Sequence, residues 1–179
     1  MQYNVASILK LSPGNVRSYA LDAGQQVPLD DELTLLVESG DVRFSRTNRG
    51  LLARGAVHGR VDRLTCSRCL SNMAITLDVP FADEYLPSID INRGTPLPAP
   101  DDELAFTIDE SHHLDLSEAV RQNTLAALPI SPICEPDCAG LCPQCGADLN
   151  EKPCDCATDG ENRPFADLTQ WLQASGQRE

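Results

Sequence analysis

An α+β protein, mainly antiparallel β-sheet with a few short helices and a Cys-rich C-terminal module, is the fold class that three features of this sequence predict. Apolar residues alternate with polar ones through Leu33, Leu35, Val37, Val42 and Phe44, again through Leu51, Ala53, Val57 and Val61, and a third time through Met73, Ile75, Leu77, Val79 and Phe81. A period of two marks strands with one buried face. Helical spacing is confined to short stretches in the second half of the chain. Six of the eight cysteines fall between Cys134 and Cys156, a density that core packing does not explain.

Residues 1–30 combine a strand or short helix around Val5 to Leu11 with a turn at Pro13-Gly14, and they carry packing rather than chemistry. The first two alternating runs are joined by Thr47-Asn48-Arg49-Gly50, a turn sequence, which predicts an antiparallel hairpin. The same period places Arg54, His58 and Arg60 on the face opposite Val57 and Val61, with Arg43 and Arg49 flanking Phe44. Cys66-Ser67-Arg68-Cys69-Leu70 sits where the second run turns into the third, so a metal knuckle would cap that turn. Pro87 to Glu103, with Gly94, Pro96, Pro98 and Pro100, is too interrupted for a helix and too polar for a buried strand. Leu104 to Ile108 reads as a short strand.

Asp115 and Glu118 have capping-box spacing ahead of Leu116, Val120, Leu125 and Leu128, which predicts a helix of about three turns ending at Pro129. Pro164 is placed to start a last helix to Ala174, with Phe165, Leu168, Trp171 and Leu172 on one side. The expected organisation is an N-terminal β-rich part with a Cys-x-x-Cys hairpin tip (1–86), an acidic Pro-rich loop or linker (87–103), and a strand–helix with the Cys-rich module and C-terminal helix (104–179).

The formal net charge of −13 is strongly segregated. Arg43, Arg46, Arg49, Arg54, Arg60, Arg63 and Arg68 lie in a stretch whose one acid is Asp62, whereas from Asp78 to Glu118 eleven carboxylates face Arg93 alone. Non-specific nucleic-acid binding by the whole surface is therefore not expected. Aromatics are 4 %, which argues against a large stacking surface. The first residues carry no basic leader or cleavage-like site and no apolar run reaches about 18 residues, so neither export nor a membrane span is expected. A cytoplasmic location, with thiols kept reduced, is the expectation.

Reduced cysteines in close pairs, Cys66/Cys69, Cys134/Cys138, Cys142/Cys145 and Cys154/Cys156, suit two four-cysteine Zn2+ sites, because a short turn delivers two tetrahedral ligands without strain. In Cys142-Pro143-Gln144-Cys145-Gly146 the proline fixes the entry dihedral and the glycine accepts a left-handed conformation after the second ligand. Loop length favours Cys142, Cys145, Cys154 and Cys156 in one site, which leaves Cys66, Cys69, Cys134 and Cys138 for the other. A compact site of Cys134, Cys138, Cys142 and Cys145 is the alternative. Cys-Ser-Arg-Cys and Cys-Pro-Gln-Cys also have redox-motif spacing, so a thiol redox enzyme competes with zinc.

No phosphate-binding glycine loop, His-Glu-x-x-His motif or nucleophile–base pair is present. His112-His113 before a helix reads as solvated, and Asp83-Glu84 and Asp101-Asp102 as surface carboxylates. Neither an enzyme nor a small-molecule substrate is expected.

Arg46-Thr47-Asn48-Arg49-Gly50-Leu51-Leu52, Cys66-Ser67-Arg68-Cys69-Leu70, Leu125 to Pro129, Gly140-Leu141-Cys142-Pro143-Gln144-Cys145-Gly146 with Leu149-Asn150, and the closing Cys-x-Cys occur in an order that resembles the YceD family of large ribosomal RNA subunit accumulation proteins. The resemblance runs from about residue 40 to the end. It implies a non-catalytic ribosome biogenesis factor, and the family supplies no catalytic residue. Beside it, Arg43, Arg49, Arg54, Arg60, Arg63 and Arg68 are the candidate RNA-binding residues, since guanidinium grips phosphate. The expected partner is ribosomal RNA or a large-subunit precursor. A second reading makes the acidic region a holder for a basic ribosomal protein.

Overall fold

The computed structural model describes residues 1–156 apart from 101 and 103. The helix expected at 164–174 lies outside the described residues. Among the described residues ten elements follow one another: β1 (Gln2–Asn4), α1 (Ala6–Leu9), β2 (Val16–Ala20), β3 (Gln26–Pro28), β4 (Thr34–Arg46), β5 (Leu51–Thr65), β6 (Asn72–Pro87), β7 (Phe106–Ile108), β8 (His113–Asp115) and α2 (Ser117–Ala127). The sheet order is β2-β4-β5-β6-β7, with β3 pairing the start of β4, and β1 pairs with β8 separately. Every pairing is antiparallel except β6 with β7. The mainly antiparallel sheet with short helices is therefore present.

The three long strands form a meander whose registers explain a change of parity in the sequence. On β4 the buried residues are Leu35 and Val37, then Val42 and Phe44, so odd positions give way to even ones. A register shift between Val37 and Ser39 supplies the extra residue, and one such residue turns every later side chain to the other face. β5 repeats the device: Val57 and Val61 are buried, the pairing with β6 shifts between Val61 and Leu64, and Leu64 is buried in turn. Both bulges keep one apolar face pointing inward along strands of 13 and 15 residues.

That face carries the core. Leu35, Val37, Val42, Phe44, Leu51, Val57, Val61, Val79 and Tyr85 pack with Val5 and Ile8 from the N-terminal segment and with Ile108, Leu114, Leu116 and Val120. Burying side chains of this kind contributes about 1.5–3 kcal/mol each. Gly55 lies on the same face, and a side chain there would place its Cβ 2.9 Å from the Phe81 ring. Among the described residues the aromatics pack against the core: Tyr3, Tyr19 and Phe44 form a cluster with centroids 5.4–5.6 Å apart, and Tyr85 stacks on Phe106.

Helix α2 closes the core over β6, with Ala119, Val120 and Thr124 buried and the Thr124 hydroxyl donating to the Val120 carbonyl at 2.7 Å. The expected capping box takes a different form. Asp115 Oδ1 accepts from the Ser117 amide at 2.8 Å, two residues on, and Glu118 pairs forward with Arg121 at 2.7 Å instead of reaching back. The helix ends before Pro129, where Leu128 turns to an extended conformation.

β7 adds to β6, and α2 packs into the same core as the N-terminal strands. Residues 88–97 are bonded into place by an Ile89–Pro96 bridge and by the Leu97 amide donating to the Ser88 carbonyl at 2.8 Å. Ile91 rests against the core. The hydrogen bonds from Arg93 N–H and then Asn92 N–H lower the Asp90 carboxyl below its ordinary pKa. No helix among the described residues is long and apolar enough to cross a membrane.

Candidate metal centres

Two quartets of sulfur converge: Cys66, Cys69, Cys134 and Cys138 in one, and Cys142, Cys145, Cys154 and Cys156 in the other, with the Sγ atoms of each quartet within 4.8 Å of one another. The alternative quartet of Cys134, Cys138, Cys142 and Cys145 is not formed. In the first centre the turn between β5 and β6 supplies Cys66 and Cys69, and the segment after α2 supplies Cys134 and Cys138. The Ser67 amide donating to the Pro132 carbonyl at 2.7 Å lays that segment along the hairpin tip.

The two Cys-x-x-Cys knuckles share a backbone design. The Arg68 amide donates to Cys66 Sγ at 3.4 Å, and the Gln144 amide donates to Cys142 Sγ at 3.4 Å. Four residues after each first cysteine, the Leu70 amide reaches the Cys66 carbonyl at 3.0 Å and the Gly146 amide reaches the Cys142 carbonyl at 2.9 Å. Both of those residues are left-handed, Leu70 at φ 61° and Gly146 at φ 73°. Glycine accepts this without strain, whereas Leu70 holds a conformation costing a side-chain-bearing residue about 1–2 kcal/mol.

The sulfur spacing fits a tetrahedral metal. Cys66 Sγ is 3.9 Å from Cys138 Sγ, and Cys69 Sγ is 3.7 Å from Cys134 Sγ. A zinc–thiolate bond of about 2.3 Å sets tetrahedral sulfurs about 3.8 Å apart, whereas a disulfide requires about 2.05 Å. Cys66, Cys69 and Cys138 are buried and Cys134 is half-buried, while in the second centre Cys142 is buried, Cys145 is exposed, and Cys154 and Cys156 are half-buried.

Acidity is divided unequally within each quartet. Hydrogen bonds from the Cys69 and then the Arg68 backbone lower the Cys66 thiol to about 6, and those from the Cys145 and Gln144 backbone lower Cys142 to about 6. Contact with the Cys138 sulfur, then burial, pushes Cys134 up to about 12, and the Cys145 sulfur followed by burial does the same to Cys156. A divalent cation bound by a quartet would hold all four of its sulfurs as thiolates.

The candidate RNA-binding arginines differ in what surrounds them. Arg43 and Arg54 are cross-strand partners, both exposed on the outward face, and among the described residues neither has an ion-pair partner. Asp41 lies on that face two residues before Arg43. Arg49 is exposed at the hairpin turn. Arg60 is bound to Asp62 at 2.7 Å, and His58 stands between Asp78 at 2.7 Å and Glu38 at 3.6 Å, so acids divide the island. Arg63 occupies the β5 bulge at φ 66° beside Asp30, Asp31 and Glu32. Arg68 donates to the Cys138 carbonyl at 2.9 Å, which makes it a tie between the halves of the first centre.

His113 is half-buried, 3.8 Å from Asp109, and His112 is half-buried with its Nδ1 unpartnered. Neither lies in a sulfur quartet. Sequence reasoning overlooked Asn150, whose side chain contacts Cys138 Sγ at 3.4 Å. The one signal for it was the Leu149-Asn150 pair following the second knuckle.

The sequence profile of the family described as Large ribosomal RNA subunit accumulation protein YceD matches residues 53–171, about two-thirds of the chain. The chain belongs to the YceD family. All eight cysteines lie within the matched span. Proteins of Mycobacterium bovis and Mycobacterium tuberculosis, both named only as uncharacterized, are 32 % identical over 113 residues, 63 % of this chain and 52 % of theirs. The Arabidopsis thaliana protein named Large ribosomal RNA subunit accumulation protein YCED homolog 1, chloroplastic, is 30 % identical over 70 residues, 39 % of this chain and 22 % of that one. The YceD chain thus spans about half the length of the mycobacterial relatives it matches. No solved structure matches it.

Proposed function

We propose that this YceD protein is a non-catalytic factor of large-subunit ribosome biogenesis, required for accumulation of large-subunit ribosomal RNA, and that it binds the RNA or an assembly intermediate directly. The family match carries the biological assignment. Two Zn2+ ions, one on each sulfur quartet, would fix the geometry of the hairpin tip and of the segment after α2 and take no part in a reaction. Cys66, Cys69, Cys134 and Cys138 would hold one, and Cys142, Cys145, Cys154 and Cys156 the other.

The observation that supports RNA contact is the Arg43–Arg54 pair. Two like charges directly across an antiparallel ladder repel, and a phosphate between them relieves the repulsion with charge-assisted hydrogen bonds. Ser18, Ala56 and Ala82 beside them leave room for a backbone to approach. Among the described residues no aromatic side chain is exposed, so this surface offers no base-stacking platform and suits the phosphate backbone of folded RNA.

The test is salt-dependent retention of a large-subunit ribosomal RNA transcript by the double variant Arg43→Glu/Arg54→Glu. Affinity should fall at least tenfold and the salt slope should flatten, with zinc content unchanged. RNA binding equal to wild type would reject the arginine pair. If crosslinking in cell extract instead recovers a basic ribosomal protein, and capture is lost when Asp101, Asp102 and Glu103 become Asn or Gln, the protein is the acidic holder.

A further inference from the structure

We infer that Asn150 couples the two cysteine centres, so that metal held at the second centre tightens metal retention at the first. The inference rests on the zinc reading of both quartets. Asn150 belongs by sequence to the loop that the second centre closes, between Cys145 and Cys154, yet its side chain is spent on the first. Its Nδ2 donates to Cys138 Sγ at 3.4 Å and to Asp148 Oδ1 at 2.7 Å, and its Oδ1 accepts from the Ala139 amide at 2.7 Å. Both amide protons and the carbonyl oxygen are therefore engaged. An N–H aimed at a thiolate ligand steadies its charge and orientation, and loss of such a contact typically weakens metal binding about 10–100-fold.

The rest of the junction runs the same way. The Leu149 amide donates to the Gly140 carbonyl at 2.9 Å, the Leu141 amide donates to the Arg68 carbonyl at 3.1 Å, and the Arg68 guanidinium reaches the Cys138 carbonyl at 2.9 Å. Gly140 makes this possible: it is left-handed at φ 75°, and a Cβ there would stand 3.1 Å from the Arg68 carbonyl oxygen. One strip of backbone, Cys138 to Leu141, thus contacts the first knuckle on one side and the loop of the second centre on the other. Closing the loop on a metal holds Asn150 in place. With Cys154 and Cys156 unbound, the loop regains its freedom and the amide must be ordered at the expense of chain entropy. The coupling is reciprocal, as any linkage between two binding equilibria must be.

Release of zinc from the full chain to a chromophoric chelator under reducing conditions tests the coupling. Cys154→Ser/Cys156→Ser disables the second centre and leaves all four ligands of the first, and zinc should leave the first at least tenfold faster. Asn150→Asp keeps the acceptor for the Ala139 amide but replaces the donor to Cys138 with a negative oxygen. It should keep two zinc ions per chain, accelerate release from the first centre to a similar degree and shift the sulfur-to-metal absorption of that centre in the Co2+ form. Cys66→Ser/Cys69→Ser, which retains the second centre alone, assigns the signals. Two zinc ions per wild-type chain with unaltered first-centre release in both variants would overturn the coupling and leave the zinc reading standing. A wild-type protein without bound metal would overturn both.

Discussion

The sheet of residues 2–127 and the cysteine segment of residues 131–156 are held together by different physics. In the sheet a continuous apolar cluster runs from Val5 to Val120 across every strand layer, and water exclusion alone suffices to order it. In the segment 131–156 only Cys138, Gly140 and Cys142 are buried, and Ile133 and most of the polar residues face solvent. So small a core cannot offset the entropy of fixing its backbone. Metal bound by the sulfur quartets would take its place, and the Cys66/Cys69 turn is where the two regimes meet.

The largest expected effect breaks the comparison outright. Chelation under reducing conditions should unfold residues 131–156 while the sheet survives, since structural zinc contributes about 10–16 kcal/mol to small thiolate modules. Limited proteolysis followed by mass analysis should find new cuts after Ile130 and a protected fragment containing β1 to α2. Uniform protection throughout would mean that the segment stands without metal.

A smaller effect tests the sheet side by pH. Burial, then the nearby Asp83 and Asp115 carboxylates, raises the Tyr85 phenol above its ordinary pKa, and its hydroxyl donates to the Asp115 carbonyl at 3.2 Å. A group raised on folding contributes stability that is complete below its unfolded pKa, about 10, and is lost as pH climbs from there toward the folded value. The free energy of unfolding from denaturant titrations should therefore fall above about pH 10, by up to about 1.4 kcal/mol per pH unit for this group. Tyr85→Phe should remove that share of the slope and cost about 1 kcal/mol at neutral pH. An unchanged slope would show that the phenol is not the titrating group.

The smallest effect compares the knuckles with each other. Leu70 and Gly146 occupy the same left-handed place, and Leu70 is 63 % exposed, so it gains little from packing. Leu70→Gly should slow zinc release from the first centre by severalfold, because it removes about 1–2 kcal/mol of backbone strain. Faster release would show that the leucine side chain supports the turn.

Much of the sheet was legible because alternation reports directly which face is buried: Val57 and Val61 lie inside with Arg54 and Arg60 outside, as the period of two requires. The parity changes near Val37 and Val61 were printed in the same residues, and bulges are their physical cause. The short β1, β3 and β8 were not legible, since three-residue strands carry no period and exist only through their partners. Nor could the arginine island be resolved into the Arg43–Arg54 pair, the acid-bound Arg60 and the backbone-bound Arg68. That required knowing that Asp78, from the next strand, would stand opposite His58.

Cysteine identity and spacing by themselves determined that thiolate metal sites are the chemistry to look for, because ligand type and turn geometry are local properties. Which pairs converge was decided only in three dimensions, since loop-closure entropy varies too weakly with length to choose between quartets. The choice follows from the meander, whose β5–β6 turn sets Cys66 beside the chain leaving α2, and from the junction where Arg68, Gly140 and Asn150 meet. The contacts from Cys66 and Arg68 to Cys134 and Cys138 join residues more than 60 positions apart, and no local pattern encodes them.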